Sequence, residues 1–214
     1  MSTHSEAIWE GAPASVLAVL STARRVGATI TRIKLAKLLY LADLRAVQSD
    51  TAAGSGLTWI WYHYGPYDRT LDSVERSLSD VSAIEVETVV NFYGSPEYRL
   101  AIRDAPQYQI DARFARIVEE VVTEYGRFSP TTLKDLTYQT PPMLIAQAKG
   151  RRNVRLDLSA QRPLPKVGST LAKFRAISQR LPERTTSPEA MDELVADIEA
   201  TRATRGRANQ ALLD

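Results

Sequence analysis

The sequence predicts a mainly α fold with a small antiparallel β element: a compact helical domain that includes a strand and a β-hairpin, followed by extra C-terminal helices. Apolar residues recur at helical spacing along most of the chain. The segment Thr58–Tyr64 departs from this pattern, because its β-branched and aromatic residues are typical of a short strand. Gly94-Ser95-Pro96-Glu97 separates two further strand-like runs, which predicts a hairpin with a four-residue loop.

The composition is that of an ordinary globular protein and excludes several kinds of site. Of the 214 residues, 44% are hydrophobic and 24% are charged, and the net charge is +2. The absence of cysteine excludes disulfides and thiolate metal sites and fits a reducing compartment. No apolar run approaches the roughly 20 residues that span a bilayer, and residues 1–10 lack the basic region of a secretory signal. We therefore expect a cytoplasmic protein that contacts no membrane.

Two helices are expected first. Pro13 and Ser15 can begin a helix that runs from Val16 to about Val26 and ends at Gly27. Thr31 is a good N-cap for the second helix, which continues to about residue 48. Its apolar residues form a wide stripe, so we expect packing on more than one side, with a polar edge made of Lys34, Lys37, Asp43 and Arg45.

The aromatic strand is expected to end at Gly65-Pro66. Proline lacks an N–H group and fixes φ, so Pro66 would stop the strand and occupy the first turn of a helix reaching about Ser79. Alternation predicts that Trp59, Trp61 and His63 share one face of the strand.

The remaining elements are again mainly helical. Asp111 caps a strongly periodic helix that ends at Gly126, and Ser129-Pro130 begins another, which Pro141-Pro142 interrupts. Residues 150–165 show no clear period. We therefore predict a helical domain over residues 1–149, a linker over 150–167 and a helical extension over 168–214.

A search for a catalytic centre finds no suitable constellation. His4 and His63 are the only histidines, and His63 is flanked by aromatic residues, which favours a packing or hydrogen-bonding role. Gly54-Ser55-Gly56 lacks the rest of a phosphate-binding loop. We expect no enzyme activity, no cofactor and no metal site, although distant carboxylates could still converge.

The aromatic segment leaves three interpretations open. Its rings could belong to the core, could stack on nucleic-acid bases, or could include an anchor for a protein partner, and a free strand edge could also receive a partner strand. Base stacking also requires a basic groove, and no Lys or Arg lies between Arg45 and Arg69. A basic cluster does occur further on, at Lys149, Arg151, Arg152 and Arg155, where it could meet phosphate, meet an acidic partner, or lie in a solvated linker.

Three motifs in order resemble the Panacea domain, also called SocA-like, of bacterial and phage antitoxins. They are the Lys-Leu-x-Lys-Leu-Leu-Tyr-x-Ala helix over Lys34–Asp43, the aromatic strand Trp61–Pro66 with its Tyr-Gly-Pro ending, and the segment Ser129–Pro142 with its Thr-Pro-Pro motif. The resemblance covers roughly Val16–Lys149. It implies an antitoxin that neutralises a cognate toxin by direct binding, as part of a toxin–antitoxin pair. Delivery of a bound protein to an ATP-dependent protease and transcriptional regulation through nucleic-acid binding are the alternatives.

The matched motifs supply the candidate site residues. Gly65 and Pro66 are expected to act through architecture, and we expect most of Ile33–Asp43 and of Trp59–Tyr64 to be core. The remaining motif positions are Leu38, Tyr40, Trp61 and Tyr64, of which Tyr40 is expected in the core. The candidates for partner binding are the polar positions most able to point outward and the tyrosine after the Gly-Pro pair: Lys34, Lys37, Asp43 and Tyr67.

Overall fold

Helices form most of the described chain, and two small antiparallel sheets lie against them. The computed structural model describes residues 8–91, 94–103, 106–150 and 152–160. Within them, the helices are α1 (Gly11–Val26), α2 (Arg32–Gln48), α3 (Thr70–Asp80), α4 (Ala112–Tyr125), α5 (Pro130–Tyr138) and α6 (Pro141–Ala148). The strands are β1 (Ile30–Thr31), β2 (Ile60–Tyr62), β3 (Gly65–Tyr67), β4 (Ile84–Val90) and β5 (Pro96–Ile102). The predicted mainly α fold with small antiparallel β elements is confirmed.

Helix α2 lies at the centre of the fold. Every residue from Lys34 to Leu44 is buried, and the helix packs against α1, α4, α5, β3 and β5. Thr31 caps it as predicted, because its hydroxyl accepts a hydrogen bond from the Lys34 N–H at 3.3 Å. Helix α1 begins at Gly11, earlier than expected, and ends at Gly27, which has a left-handed conformation.

The larger sheet has the strand order β1-β5-β4. Strands β4 and β5 form the predicted hairpin, with Ile84 opposite Ile102 and Val90 opposite Pro96. The expected four-residue loop is wrong in its second half, because Pro96 and Glu97 belong to β5. Strand β1 was not predicted, since two residues between α1 and α2 carry too little pattern to indicate a strand.

The smaller sheet is a tight hairpin that the sequence did not predict. The expected strand Thr58–Tyr64 is shorter and forms β2, a two-residue turn follows at His63 and Tyr64, and Gly65-Pro66-Tyr67 form the returning strand β3. Pro66 therefore lies in a strand, and the expectation that it begins the next helix is wrong, because α3 begins at Thr70. Proline is tolerated here because a strand as short as β3 needs few ladder hydrogen bonds.

Capping residues define the last helices. Asp111 accepts hydrogen bonds from the N–H groups of Arg113 and Phe114, and Ser129 accepts one from Thr132, as predicted. Pro141-Pro142 ends α5 but also begins α6, a helix that the sequence analysis missed. Proline has no N–H group to leave unpaired at the first helical position, which suits the start of α6. It also disfavours helical backbone at the residue before it, and Thr140 is accordingly extended, so α5 cannot continue. No helix in the described residues is long and apolar enough to cross a membrane.

The first part of the expected linker packs against the domain. Residues 153–156 run antiparallel along the free edge of β2: Trp61 N–H donates to Val154 O at 3.0 Å, and Leu156 N–H donates to Trp59 O at 2.8 Å. Leu156 is buried in the core. The helices expected beyond residue 168 lie outside the described residues.

Candidate partner-binding surface

The charged side chains of α2 that the sequence suggested as surface contacts are buried. Lys34, Lys37 and Asp43 are only 6%, 2% and 0% exposed. The expectation that they point outward is therefore wrong. Each binds a polar group of another element, which is the condition under which buried charge is tolerated.

Lys34 binds the end of α4. Its ammonium group donates hydrogen bonds to the carbonyl oxygens of Gly126, at 2.6 Å, and of Thr29. Gly126 directly follows α4, where carbonyl groups lack helical partners and the helix dipole favours a cation. Burial lowers the pKa of Lys34, and the negative charge of Glu97 opposes part of that shift.

Lys37 binds the β2–β3 hairpin. Its ammonium group donates to the carbonyl oxygen of Pro66 at 2.8 Å. Burial lowers the pKa of Lys37 to about 7. The adjacent Gly65 has φ +102°, and a Cβ there would lie only 2.9 Å from Cε2 of Tyr138. The backbone conformation and the close approach both favour glycine, so the Tyr-Gly-Pro motif fits against the lysine motif of α2.

Tyr40 and Asp43 connect α2 to two further parts of the fold. The Tyr40 hydroxyl lies 2.7 Å from Thr140 Oγ1, and its ring, fully buried as expected, packs edge-on against Trp59. The Asp43 carboxylate accepts hydrogen bonds from the Ser55 hydroxyl and N–H group and from Trp59 Nε1, the last at 2.8 Å. Burial raises the pKa of Asp43, and these hydrogen bonds oppose the shift. The four polar residues of the helix motif therefore contact other parts of the domain.

The surface around the motifs belongs to the β2–β3 hairpin. Residues opposite one another in an antiparallel pair have side chains on the same face, and Ile60 lies opposite Tyr67 on one side and Arg155 on the other. Trp59, Pro66 and Leu156 lie on the other face, which is buried. We call the outward surface the hairpin face; it consists of Ile60, Tyr62, Tyr64, Tyr67, Arg69 and Arg155.

Aromatic contacts hold the hairpin face together. Tyr62 stacks on Tyr67 with 6.0 Å between ring centroids, and the guanidinium carbon of Arg69 lies 5.4 Å from the centre of the Tyr62 ring. His63 also packs against Tyr62. Tyr64 in the turn is 66% exposed, so the expectation that most of Trp59–Tyr64 is core applies to Trp59 but not to this end of the segment.

Two more motif residues are half-buried. The Tyr67 hydroxyl donates to Asp72 Oδ1 at 2.6 Å, and burial together with this carboxylate raises the pKa of Tyr67. Trp61 Nε1 lies 3.3 Å from the Tyr138 hydroxyl, and Arg152 covers the Trp61 ring at 5.7 Å. Leu38, by contrast, is completely buried.

Arginines near the hairpin have guanidinium groups that contact rings or lie near an acid without forming an ion pair in the described residues. Arg69, Arg152 and Arg155 are exposed and form no ion pair with a carboxylate in the described part of the chain. Neighbouring acids already accept hydrogen bonds: Asp68 from Thr58 and Thr70, Asp72 from Tyr67, and Asp157 from Ser159. The sequence analysis missed Arg69, for which proximity to the aromatic block was the available signal.

The arrangement suits binding better than chemistry. Among the described residues, no group of three or more histidine or acidic side chains could hold a metal ion. The surface instead combines tyrosines with arginines, the residue types that dominate protein interfaces.

A family model agrees with the motif order. The model of the antitoxin SocA-like, Panacea domain matches residues 35–142, half of the chain, from the first turn of α2 to Pro142 at the start of α6. No curated protein and no solved structure is significantly similar to the chain. The matched range contains the helix motif from Leu35 onward, the hairpin and the Thr-Pro-Pro motif, and the chain therefore belongs to the antitoxin SocA-like, Panacea domain family.

Proposed function

We propose that this protein is a cytoplasmic antitoxin that binds a cognate toxin directly and neutralises it without catalysis. The observation that carries the proposal is the match of the antitoxin SocA-like domain over residues 35–142. A toxin is accordingly the expected partner.

The use of the motif residues supports this proposal. Lys34, Lys37 and Asp43 bind groups inside the domain, so the charged side chains of the helix motif are not available to a partner. Lys37 in particular holds in position a hairpin with an exposed outer face. This division suits a binding scaffold, in which the core is shared and the surface selects the partner.

Co-expression with the protein encoded by the adjacent open reading frame tests the proposal. Both genes are placed under unrelated inducible promoters, so that repression of a native operator cannot explain any protection. We expect the full chain to restore growth and to purify with the neighbouring protein as a stable complex. Arrested growth together with a free neighbouring protein would contradict the proposal, and an unrelated soluble protein at the same level serves as control.

A protease-deficient host separates neutralisation by binding from delivery to a protease. If the chain blocks the toxin by contact, growth is restored in that host and the toxin accumulates in the complex. If the chain acts as an adaptor, protection requires the protease and the toxin level falls only when the protease is present.

A further inference from the structure

The hairpin face is rigidly held from three directions. Lys37 binds the Pro66 carbonyl from the core side, residues 153–156 pair with the edge of β2, and Tyr67 donates to Asp72 of α3. Tyr62 is further fixed by stacking on Tyr67. A hairpin held in place before binding loses little conformational entropy on association, which favours its use as a binding surface.

The charges of the hairpin face indicate the chemistry of the partner. Arg69 and Arg155 form no ion pair within 4.0 Å in the described residues, although the charge of Arg155 helps to lower the pKa of Asp157. Both oxygen atoms of Asp68 and Oδ1 of Asp72 already accept hydrogen bonds from neighbouring N–H and hydroxyl groups. An arginine whose donors are unused can bind a carboxylate with two parallel hydrogen bonds. The face is therefore complementary to acidic side chains on another molecule.

The aromatic rings favour a protein over a nucleic acid. Readers of single strands need ring faces that are free to stack on bases. The Tyr62 ring is already contacted by Tyr67, Arg69 and His63, and the Trp61 ring by Arg152 and Tyr138. Tyr64 alone projects a largely free ring, which suits one anchor in a protein pocket better than a stacking platform.

We propose that the hairpin face is the toxin-binding surface and receives an acidic patch of the toxin, with Arg69 and Arg155 binding carboxylates and Tyr64 filling a pocket of the toxin. This inference rests on the proposed antitoxin function and adds the surface and the chemistry of its partner.

Charge reversal at the two arginines tests the inference. The full chain, its Arg69→Glu/Arg155→Glu variant and its Tyr64→Ala variant are titrated against the protein of the adjacent open reading frame. We expect the double variant to bind about 30-fold or more weakly and Tyr64→Ala about 10-fold more weakly. Arg113→Glu/Arg116→Glu is the matched control, because these arginines of α4 are exposed, form no described ion pair and receive the same charge change. It should bind within about threefold of the unmodified chain.

Three further measurements make the outcome decisive. All variants should keep the melting temperature of the unmodified chain. Raising the salt concentration should weaken toxin binding by the unmodified chain more than toxin binding by the Arg69→Glu/Arg155→Glu variant. If the double variant binds the toxin as tightly as the unmodified chain, or no more weakly than the control variant, the surface assignment fails and the antitoxin function stands. Arg69- and Arg155-dependent binding of a single-stranded oligonucleotide with unchanged toxin binding would also overturn the assignment. If the unmodified chain does not bind the toxin, the proposed function fails as well.

Discussion

At the scale of single residues, the helix motif of α2 places four polar side chains inside the core. Lys34, Lys37, Tyr40 and Asp43 are all buried, and each has a hydrogen-bond partner outside α2. A buried charge is costly even with such a partner, because a single carbonyl replaces the whole hydration shell of an ammonium group. Lys37 is the clearest case, since its one hydrogen bond is to the Pro66 carbonyl and its pKa falls to about 7.

The low pKa of Lys37 predicts how stability changes with pH. Folded Lys37 loses its proton near pH 7, whereas an unfolded lysine loses it near 10.5, so the unfolded chain binds more protons between these values. The contribution of Lys37 to the free energy of unfolding therefore rises with pH across this window, by up to about 1.4 kcal/mol per pH unit. Urea unfolding at pH 7.5 and pH 9 measures the change.

The Lys37→Met variant supplies the comparison. It removes the titrating group, so its free energy of unfolding should rise less between pH 7.5 and pH 9 than that of the unmodified chain. The missing hydrogen bond to Pro66 lowers the stability of the variant by an amount that does not depend on pH, because methionine does not titrate. This loss therefore cancels when the change between the two pH values is compared. Equal changes in the two proteins would mean that folding does not lower the pKa of Lys37.

At the scale of elements, the β2–β3 hairpin depends on one glycine. Gly65 combines φ +102° with a close approach to Tyr138, whereas Gly94 in the β4–β5 loop has φ +76° and open space around it. Both positions resist alanine because of the backbone conformation, but only Gly65 adds a clash. Comparing alanine substitutions at Gly65 and Gly94 therefore separates the cost of backbone strain from the cost of the clash with Tyr138.

We expect Gly65→Ala to cost at least about 2 kcal/mol of stability and Gly94→Ala about 1 kcal/mol. Thermal unfolding monitored by circular dichroism measures both. If the two variants melt at the same temperature, the contact between the hairpin and α5 does not contribute to stability.

Helix α2 illustrates which elements the sequence can predict. The Thr31 cap and the apolar spacing were sufficient to predict the helix and its packing on several sides. The burial of Lys34, Lys37 and Asp43 was missed, because charged positions usually mark the solvent side of a helix. The sequence holds a usable signal, since each of these residues lies between apolar neighbours in the chain.

At the scale of the whole molecule, the domain extends past the boundary suggested by sequence pattern. Residues 153–156 pair with β2 and Leu156 enters the core, although the segment shows no period and lies in the expected linker. Such a segment gives no signal in the sequence, because one buried side chain and a few backbone hydrogen bonds produce no periodicity.

A substitution in the full chain tests this extension. Leu156 is 4% exposed, so Leu156→Ala should lower the free energy of unfolding by about 2–4 kcal/mol, through lost apolar burial and a cavity beside Trp59. Val81→Ala is the control, because Val81 is 59% exposed and its truncation should change stability by less than about 0.5 kcal/mol. A Leu156→Ala variant as stable as the control would mean that residues 153–156 are a solvated linker.

The main helices, their caps, the β4–β5 hairpin and the family could be predicted from the sequence, because these depend on local propensity, periodicity and motif order. Which motif residues are internal and which surface remains exposed could be read only from the tertiary contacts. The burial of Lys37 depends on its hydrogen bond to the Pro66 carbonyl, which only the folded chain brings close. Ile60, Tyr67 and Arg155 share a face because two separate segments pair with β2. Such pairings join residues far apart in the chain, and their free energy depends on geometry that no local pattern contains.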